Sequence, residues 1–156
     1  MALDYDAGRY RLIADPTDLP IYVPAATGGV SPGPRVSVEA TVWLPDEAAE
    51  GRSGIGLVVG DGSGTRLTLV VDAAGHVALL RDSIESLDVL APARSRRAPA
   101  RHLLLALEPE GAAAFVDGVM VAGAASSLEP VDFGLATWAA GPVTFWADDF
   151  EVRING

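Results

Sequence analysis

The stretch "RVSVEATVWL", from Arg35 to Leu44, sets Val36, Val38, Ala40 and Val42 against Ser37, Glu39, Thr41 and Trp43. A two-residue period can bury one side of a segment only if the backbone is extended, because successive side chains of a strand point to opposite faces. The signature returns along the chain. "TRLTLVVD" and "HVALLR" flank "AAG", which reads as a short hairpin loop with Gly75 supplying a positive φ. "AAFVDGVMVAG" repeats it, and Asp117-Gly118 suits a type I′ turn. "RYRLIA", "PIYVPA", "GIGLVVG", "HLLLAL", "VDFGLATW" and "VTFWADDFEVRI" read as further strands. Helical periodicity is confined to "PDEAAEG", one short turn with Asp46 as cap. The 17 glycines and 11 prolines fall mostly between the strands, as turns demand. This pattern predicts an all-β chain folded as an antiparallel two-sheet β-sandwich or jelly roll, with residues 1–156 in one domain. No period of 20–50 residues points instead to a propeller or solenoid.

Composition narrows the function classes. At 49% hydrophobic residues the chain can fill a core. It lacks any run of about 18 apolar residues that would span a bilayer. "MALDYDAGRYRLI" is acidic where a signal peptide is basic, so a full-length chain of this kind is expected in the cytoplasm. The formal charge of −10, from 21 acidic and 11 basic residues, argues against nucleic acid as a partner. The absence of cysteine excludes disulfides, thiolate metal sites and cysteine nucleophiles. Two histidines, His76 and His102, leave little for a zinc site or a Ser-His pair, and His102 reads as a strand-end residue.

The closing strand carries the most unusual residues. Val143 and Phe145 read as core, and so do Phe150, Val152 and Ile154, yet the two sets are out of phase. A β-bulge near Ala147 to Asp149 inserts the one residue that reconciles them. The acidic side chains can then accept hydrogen bonds from amides the ladder leaves free. Alternatively, Asp148 and Asp149 supply oxygens to a calcium ion, with others from Asp4, Asp6 or Asp61. No D-x-D-x-D-G loop accompanies them.

Elsewhere the chemistry is sparse. "VVGDGSGTR" is Gly-rich but lacks the spacing of a phosphate loop, and it reads as a surface connection. "APARSRRAPARH" gathers Arg94, Arg96, Arg97 and Arg101 in what its prolines and alanines mark as a loop. Such a loop can grip an anionic group through bidentate guanidinium contacts, or simply offset the acidic surroundings. Retaining glycosidases need two closely spaced carboxylates, often as alternate acids on one strand; "DDFE" offers only Asp149 and Glu151 on a common face. Trp43, Trp138 and Trp146, with Tyr5, Tyr10 and Tyr22, could include a sugar-stacking platform, although core packing claims most aromatics of a sandwich; Trp43 and Trp146 each fall out of phase with the apolar set of their strand.

The order of "YDAGRYRLIA", "RVSVEATVWL", "SGIGLVVGDGSGTRLTLVVDAAGHVALLR", "RHLLLALEPEGAAAFVDGVMVA" and "GPVTFWADDFEVRI" resembles the concanavalin A-like lectin/glucanase superfamily. It is most similar there to β-sandwich domains attached to bacterial membrane-anchored serine/threonine kinases and surface proteins. Val143, Phe145, Asp148, Asp149, Phe150 and Val152 match that family's closing strand. The resemblance implies a concanavalin A-like jelly roll used for binding or sensing in an extracytoplasmic setting, with no catalytic residues to carry over. The Ala, Gly and Arg content would suit a high-GC bacterium.

The reading is therefore a non-enzymatic ligand-binding or sensor module for a carbohydrate or envelope ligand. Trp43, Trp146 and Arg66 form its site, with Arg94, Arg96 and Arg97 at the rim. The rivals are a structural module that pairs with a protein partner and, third, a glycoside hydrolase.

Overall fold

The computed structural model describes residues 2–6, 9–14, 17–24, 35–44, 53–72, 74–82, 87–94, 100–139 and 143–154. Among these residues there are thirteen strands and no helix. One sheet has seven strands in the order β1 (Ala2–Asp6), β2 (Arg9–Ala14), β13 (Val143–Ile154), β4 (Val36–Trp43), β9 (Ala100–Glu108), β10 (Gly111–Val116) and β11 (Val119–Ala125). The other has six: β3 (Thr17–Pro24), β12 (Asp132–Ala139), β5 (Ser53–Gly60), β6 (Arg66–Asp72), β7 (His76–Asp82) and β8 (Leu87–Arg94). Every pairing is antiparallel. This is the all-β two-sheet sandwich that the alternation predicts.

The core lies between the sheets. Val36, Val38, Ala40 and Val42 of β4 are buried, as are Leu103, Leu105 and Leu107 of β9 and Phe145 and Ala147 of β13. They meet Ile55, Leu57 and Val59 of β5, Leu67, Leu69 and Val71 of β6, and Phe133 of β12. The two sheets differ on their outer sides. All eight residues of β5 are buried, and Val58, Thr68, Val70 and Ala136 are covered on the side away from the core. On the seven-stranded sheet the outward positions of β4 and β9 remain partly exposed. A solvent-facing surface is therefore available on that sheet.

The predicted bulge is present. Asp148 pairs with Thr41 and Glu151 with Glu39, so Asp149 and Phe150 together oppose Ala40. Asp149 takes a φ of 53°, and its amide donates to Asp148 Oδ1 at 2.8 Å. Phe145 and Ala147 point into the core before the kink, while Phe150 and Val152 pack against the core after it. Ile154 departs from its expected core position. It ends β13 at the rim of the sandwich and is 41% exposed.

The hairpins follow their turn chemistry. Gly75 has a φ of 90°, and Asp72 Oδ1 accepts from the amides of Ala74 and His76, both at 2.9 Å. Asp117 and Gly118 have φ values of 52° and 81° between the paired residues Val116 and Val119. Residues 91–94, expected in a loop, belong to β8 instead. Pro92 is tolerated there because β8 is an edge strand, whose outer side needs no donor. The "PDEAAEG" segment lies outside the described residues.

The Gly-rich segment is a structured connection between β5 and β6. Asp61 Oδ1 accepts from the Ser63 amide and hydroxyl, both at 2.8 Å, and from the Thr65 amide at 3.2 Å. The Ser63 amide, then its hydroxyl, hold the Asp61 carboxyl below its ordinary value of 3.8. A depressed carboxyl stabilises the fold above the unfolded value and stops doing so as pH falls through the folded one. Asp61→Asn should therefore lower the melting temperature modestly at neutral pH. The difference from wild type should shrink as the pH falls below 3.8 and close only below the lower folded value, as thermal melts at several pH values would show.

Candidate functional site

Three neighbouring strands, β13, β4 and β9, align their outward residues in rows. Trp146 lies directly opposite Trp43, and Trp43 opposite Ala100. In the next row Asp148 faces Thr41 and Thr41 faces His102; in the third, Glu151 faces Glu39 and Glu39 faces Leu104. Directly opposed residues on one face sit about 5 Å apart at Cβ, so the two indoles form one aromatic patch. Both tryptophans are half-buried: they rest on the sheet and still present surface to solvent.

Beside the tryptophans lies an ordered polar group. Glu39 is only 14% exposed and receives His102 Nε2 on one oxygen at 2.9 Å and Arg153 on the other at 3.0 Å. An ionised carboxylate only accepts, so Nε2 of His102 is the donor. Arg153 also grips Glu151 through two contacts, Nε to Oε1 at 3.0 Å and a terminal nitrogen to Oε2 at 3.2 Å. The Arg153 hydrogen bond holds the Glu151 carboxyl below its usual range, and the same contact raises the Arg153 guanidinium. Donors and acceptors of fixed position thus flank an aromatic surface. That combination suits a ligand with an apolar ring face and many hydroxyls. Farther along the sheet an open groove of about 590 Å³ runs past Arg35, Ala106, Ala113 and Phe115.

The structure divides the residues expected to act together. Trp43 and Trp146 are brought into contact range across about a hundred residues of sequence. Arg66 is on β6 of the other sheet, where both its Nε (3.1 Å) and a terminal nitrogen bond Asp82. Arg94 ends β8, also on the six-stranded sheet, with its backbone opposite His76. Arg96 and Arg97 lie outside the described residues. Arg101 is not a solvated loop residue. It is 2% exposed at the start of β9, and its Nε bonds Asp117 Oδ2 at 2.9 Å. Asp61 sits in a loop of the six-stranded sheet, away from Asp148 and Asp149. Asp4 and Asp6 are in β1, separated from β13 by β2. No group of three or more acidic or histidine side chains poised for a metal occurs among the described residues.

Glu39, Thr41, His102 and Arg153 were not singled out by sequence reasoning. Each occupies an outward position of an alternating strand, which marks it as exposed, but only the register shows that they converge.

No family model matches this chain, and no curated protein does. Among solved structures, a carbohydrate-binding module, CBM66 from Bacillus subtilis, is similar with a TM-score of 0.78 and 16% identity, covering 97% of this chain and 91% of that one. A xylan β-1,4-xylosidase from Bacillus halodurans C-125 is similar over 93% of this chain, with a TM-score of 0.70 and 14% identity. The chain spans only about a third of that enzyme, 32%. The Caenorhabditis elegans galectin LEC-6 is similar over 90% of this chain and 95% of its own, with a TM-score of 0.55 and 14% identity. At such identities these likenesses show the fold alone: an antiparallel two-sheet β-sandwich.

Proposed function

We propose that this chain is a non-catalytic carbohydrate-binding module whose site is the outer face of the seven-stranded sheet. The observation that carries this reading is the direct opposition of Trp43 and Trp146 beside the Glu39–His102–Arg153 group. A pyranose or furanose ring stacks its C–H face on the indoles while its hydroxyls meet the fixed carboxylates, imidazole and guanidinium. The carbohydrate-binding module and the galectins that share the fold support it.

Electrostatics argue against hydrolysis at the same place. Glu39 and Glu151 are neighbours across the strands, and both are bound to Arg153. A general acid needs a carboxyl whose proton affinity is raised, whereas Glu151 is shifted the other way. The extracytoplasmic sensor role rests on the sequence resemblance and belongs to the same proposal.

A glycan array that includes xylan oligosaccharides, followed by calorimetric titration of the hits, tests it. Trp43→Ala and Trp146→Ala should each weaken binding about tenfold or more, roughly 1.4 kcal/mol, while the circular dichroism of the sheet is retained. A chain that binds no glycan, or binds one equally well without either indole, would not be this module.

A further inference from the structure

The outer face of the seven-stranded sheet is polar on one half and apolar on the other. On β13 and β4 it presents Glu151, Glu39, Arg153 and Ser37 beside the tryptophans. On β9, β10 and β11 the same rows continue as Leu104, Phe115 and Met120, and as Ala106, Ala113 and Gly123. The alternation that buries Leu103, Leu105, Ala112 and Ala114 turns Leu104, Ala106, Ala113 and Phe115 outward. Met120 is 58% exposed, and its Cε lies 3.1 Å from where a Cβ on Gly123 would stand, so it too covers part of this face. Ala106, Ala113 and Phe115 line the groove of about 590 Å³, a trough of small side chains beside one aromatic ring. A contiguous apolar surface rimmed by polar groups marks a contact site on a soluble domain.

We propose that this face takes a glycan carrying an uncharged apolar substituent, an acyl chain or an aromatic ring, with the sugar on the tryptophan half and the substituent in the groove. The inference rests on the glycan reading above and names the class of ligand. Continuity carries it. Leu104 lies directly opposite Glu39, and Phe115 opposite Leu104, so the apolar half begins one strand spacing, about 5 Å, from the carboxylate that meets a sugar hydroxyl. Further sugar units suit this half poorly. The Leu104–Phe115–Met120 row offers no hydroxyl, amide or charged side chain, so sugar hydroxyls placed there would give up water without replacement. Charge disfavours other apolar ligands. Glu108 and Glu110 line the groove together with Arg35 in a chain of net charge −10, which repels a fatty carboxylate or an anionic bilayer. An uncharged group delivered by a sugar meets neither obstacle.

Calorimetric titration with methyl, phenyl and n-octyl β-D-xylosides and β-D-glucosides tests it, the octyl compounds kept below their micelle concentration. For at least one sugar, the phenyl or octyl glycoside should bind about tenfold or more tighter than the methyl one, since only the substituent removes the groove from water. Phe115→Ser should bring the glycosides of that sugar to within about twofold of one another. Should that variant fold poorly, Ala113→Glu places a charge in the groove from an outward position and should do the same. Trp43→Ala should weaken all of them together, because the sugar is anchored there. Equal affinities for methyl, phenyl and octyl glycosides would overturn the substituent and leave the glycan site standing. Octyl glycoside binding that ignores Trp43→Ala would reveal a bare apolar site and overturn it as well. Absence of binding by every glycoside overturns it too, and the glycan array then decides the parent reading separately. A dimer in sedimentation that dissolves with Phe115→Ser would assign the groove to a second copy instead.

Discussion

Gly56→Ala is expected to be the most destabilising single substitution in the chain, at about 3 kcal/mol or more. Gly56 sits in the middle of β5, opposite Val70 of β6 and Ala136 of β12, so it is hemmed in on both sides. A Cβ placed there would fall on the carbonyl oxygen of Leu69, 2.8 Å from its carbon and 2.9 Å from the Cα of Val70. These are backbone atoms, which no rotamer change can move aside. Relief requires β5 and β6 to separate, and that separation opens the core between Leu57 and Leu69. Overpacking of ordinary side chains costs about 1–3 kcal/mol, and a backbone clash belongs at or beyond the top of that range. A domain of this size has only about 5–15 kcal/mol to lose. Gly60→Ala is the matched control in the same strand. Its added carbon would meet Arg66 and Asp132 side-chain atoms at 3.5–3.7 Å, ordinary contact distances, so stability should stay within about 1 kcal/mol of wild type. Urea denaturation of both variants checks the pair, and equal midpoints would contradict the packing described for β5.

Asp117→Ala should be the costliest polar substitution. Asp117 does three things at once. Its Oδ2 faces the guanidinium of Arg101, which is 2% exposed; its Oδ1 accepts from the His102 amide at 2.9 Å; and its backbone holds a φ of 52°. Removing the carboxylate takes away a counter-charge from a buried cation, a change that costs about 3–5 kcal/mol in comparable settings. Alanine also tolerates the left-handed conformation poorly, which adds about 1 kcal/mol. Asp117→Asn keeps the turn and a hydrogen-bonding oxygen while removing the charge, so it should fall between wild type and Asp117→Ala. The effect extends to the proposed site. His102, which reaches Glu39, is tied to this turn by the Asp117 side chain and by the bond from the Asp117 amide to its carbonyl at 2.8 Å. Denaturation midpoints give the stability order, and an Asp117→Asn variant as stable as wild type would remove the charge from the explanation.

Local physics made much of the fold legible. The period of two in "RVSVEATVWL" placed β4 and its buried side, because burial on a sheet selects alternate residues. Asp117-Gly118 and Gly75 announced their turns through the φ values they tolerate. The bulge was readable because Phe145 and Phe150 cannot both reach one core without an extra residue between them. What escaped was everything set by pairing across long sequence separations. Nothing local says that β13 lies between β2 and β4, and so nothing local sets Trp146 against Trp43. The same gap let Arg66 be grouped with tryptophans that belong to the other sheet. Arg101 looked like one more basic loop residue, since its partner is a turn sixteen positions away. Alanine and proline in residues 91–94 hid β8, because edge strands accept residues that central strands refuse.

Glycan is expected to meet this protein on the outer face of the seven-stranded sheet. Two-dimensional NMR of the labelled chain, titrated with the glycans selected on the array, reads that face directly. The indole N–H signals of Trp43 and Trp146 should shift in a saturable manner, together with the backbone amides of Thr41, His102 and Glu151, while those of Leu57 and Val70 stay still. Shifts confined to the six-stranded sheet, with both indoles unmoved, would contradict it.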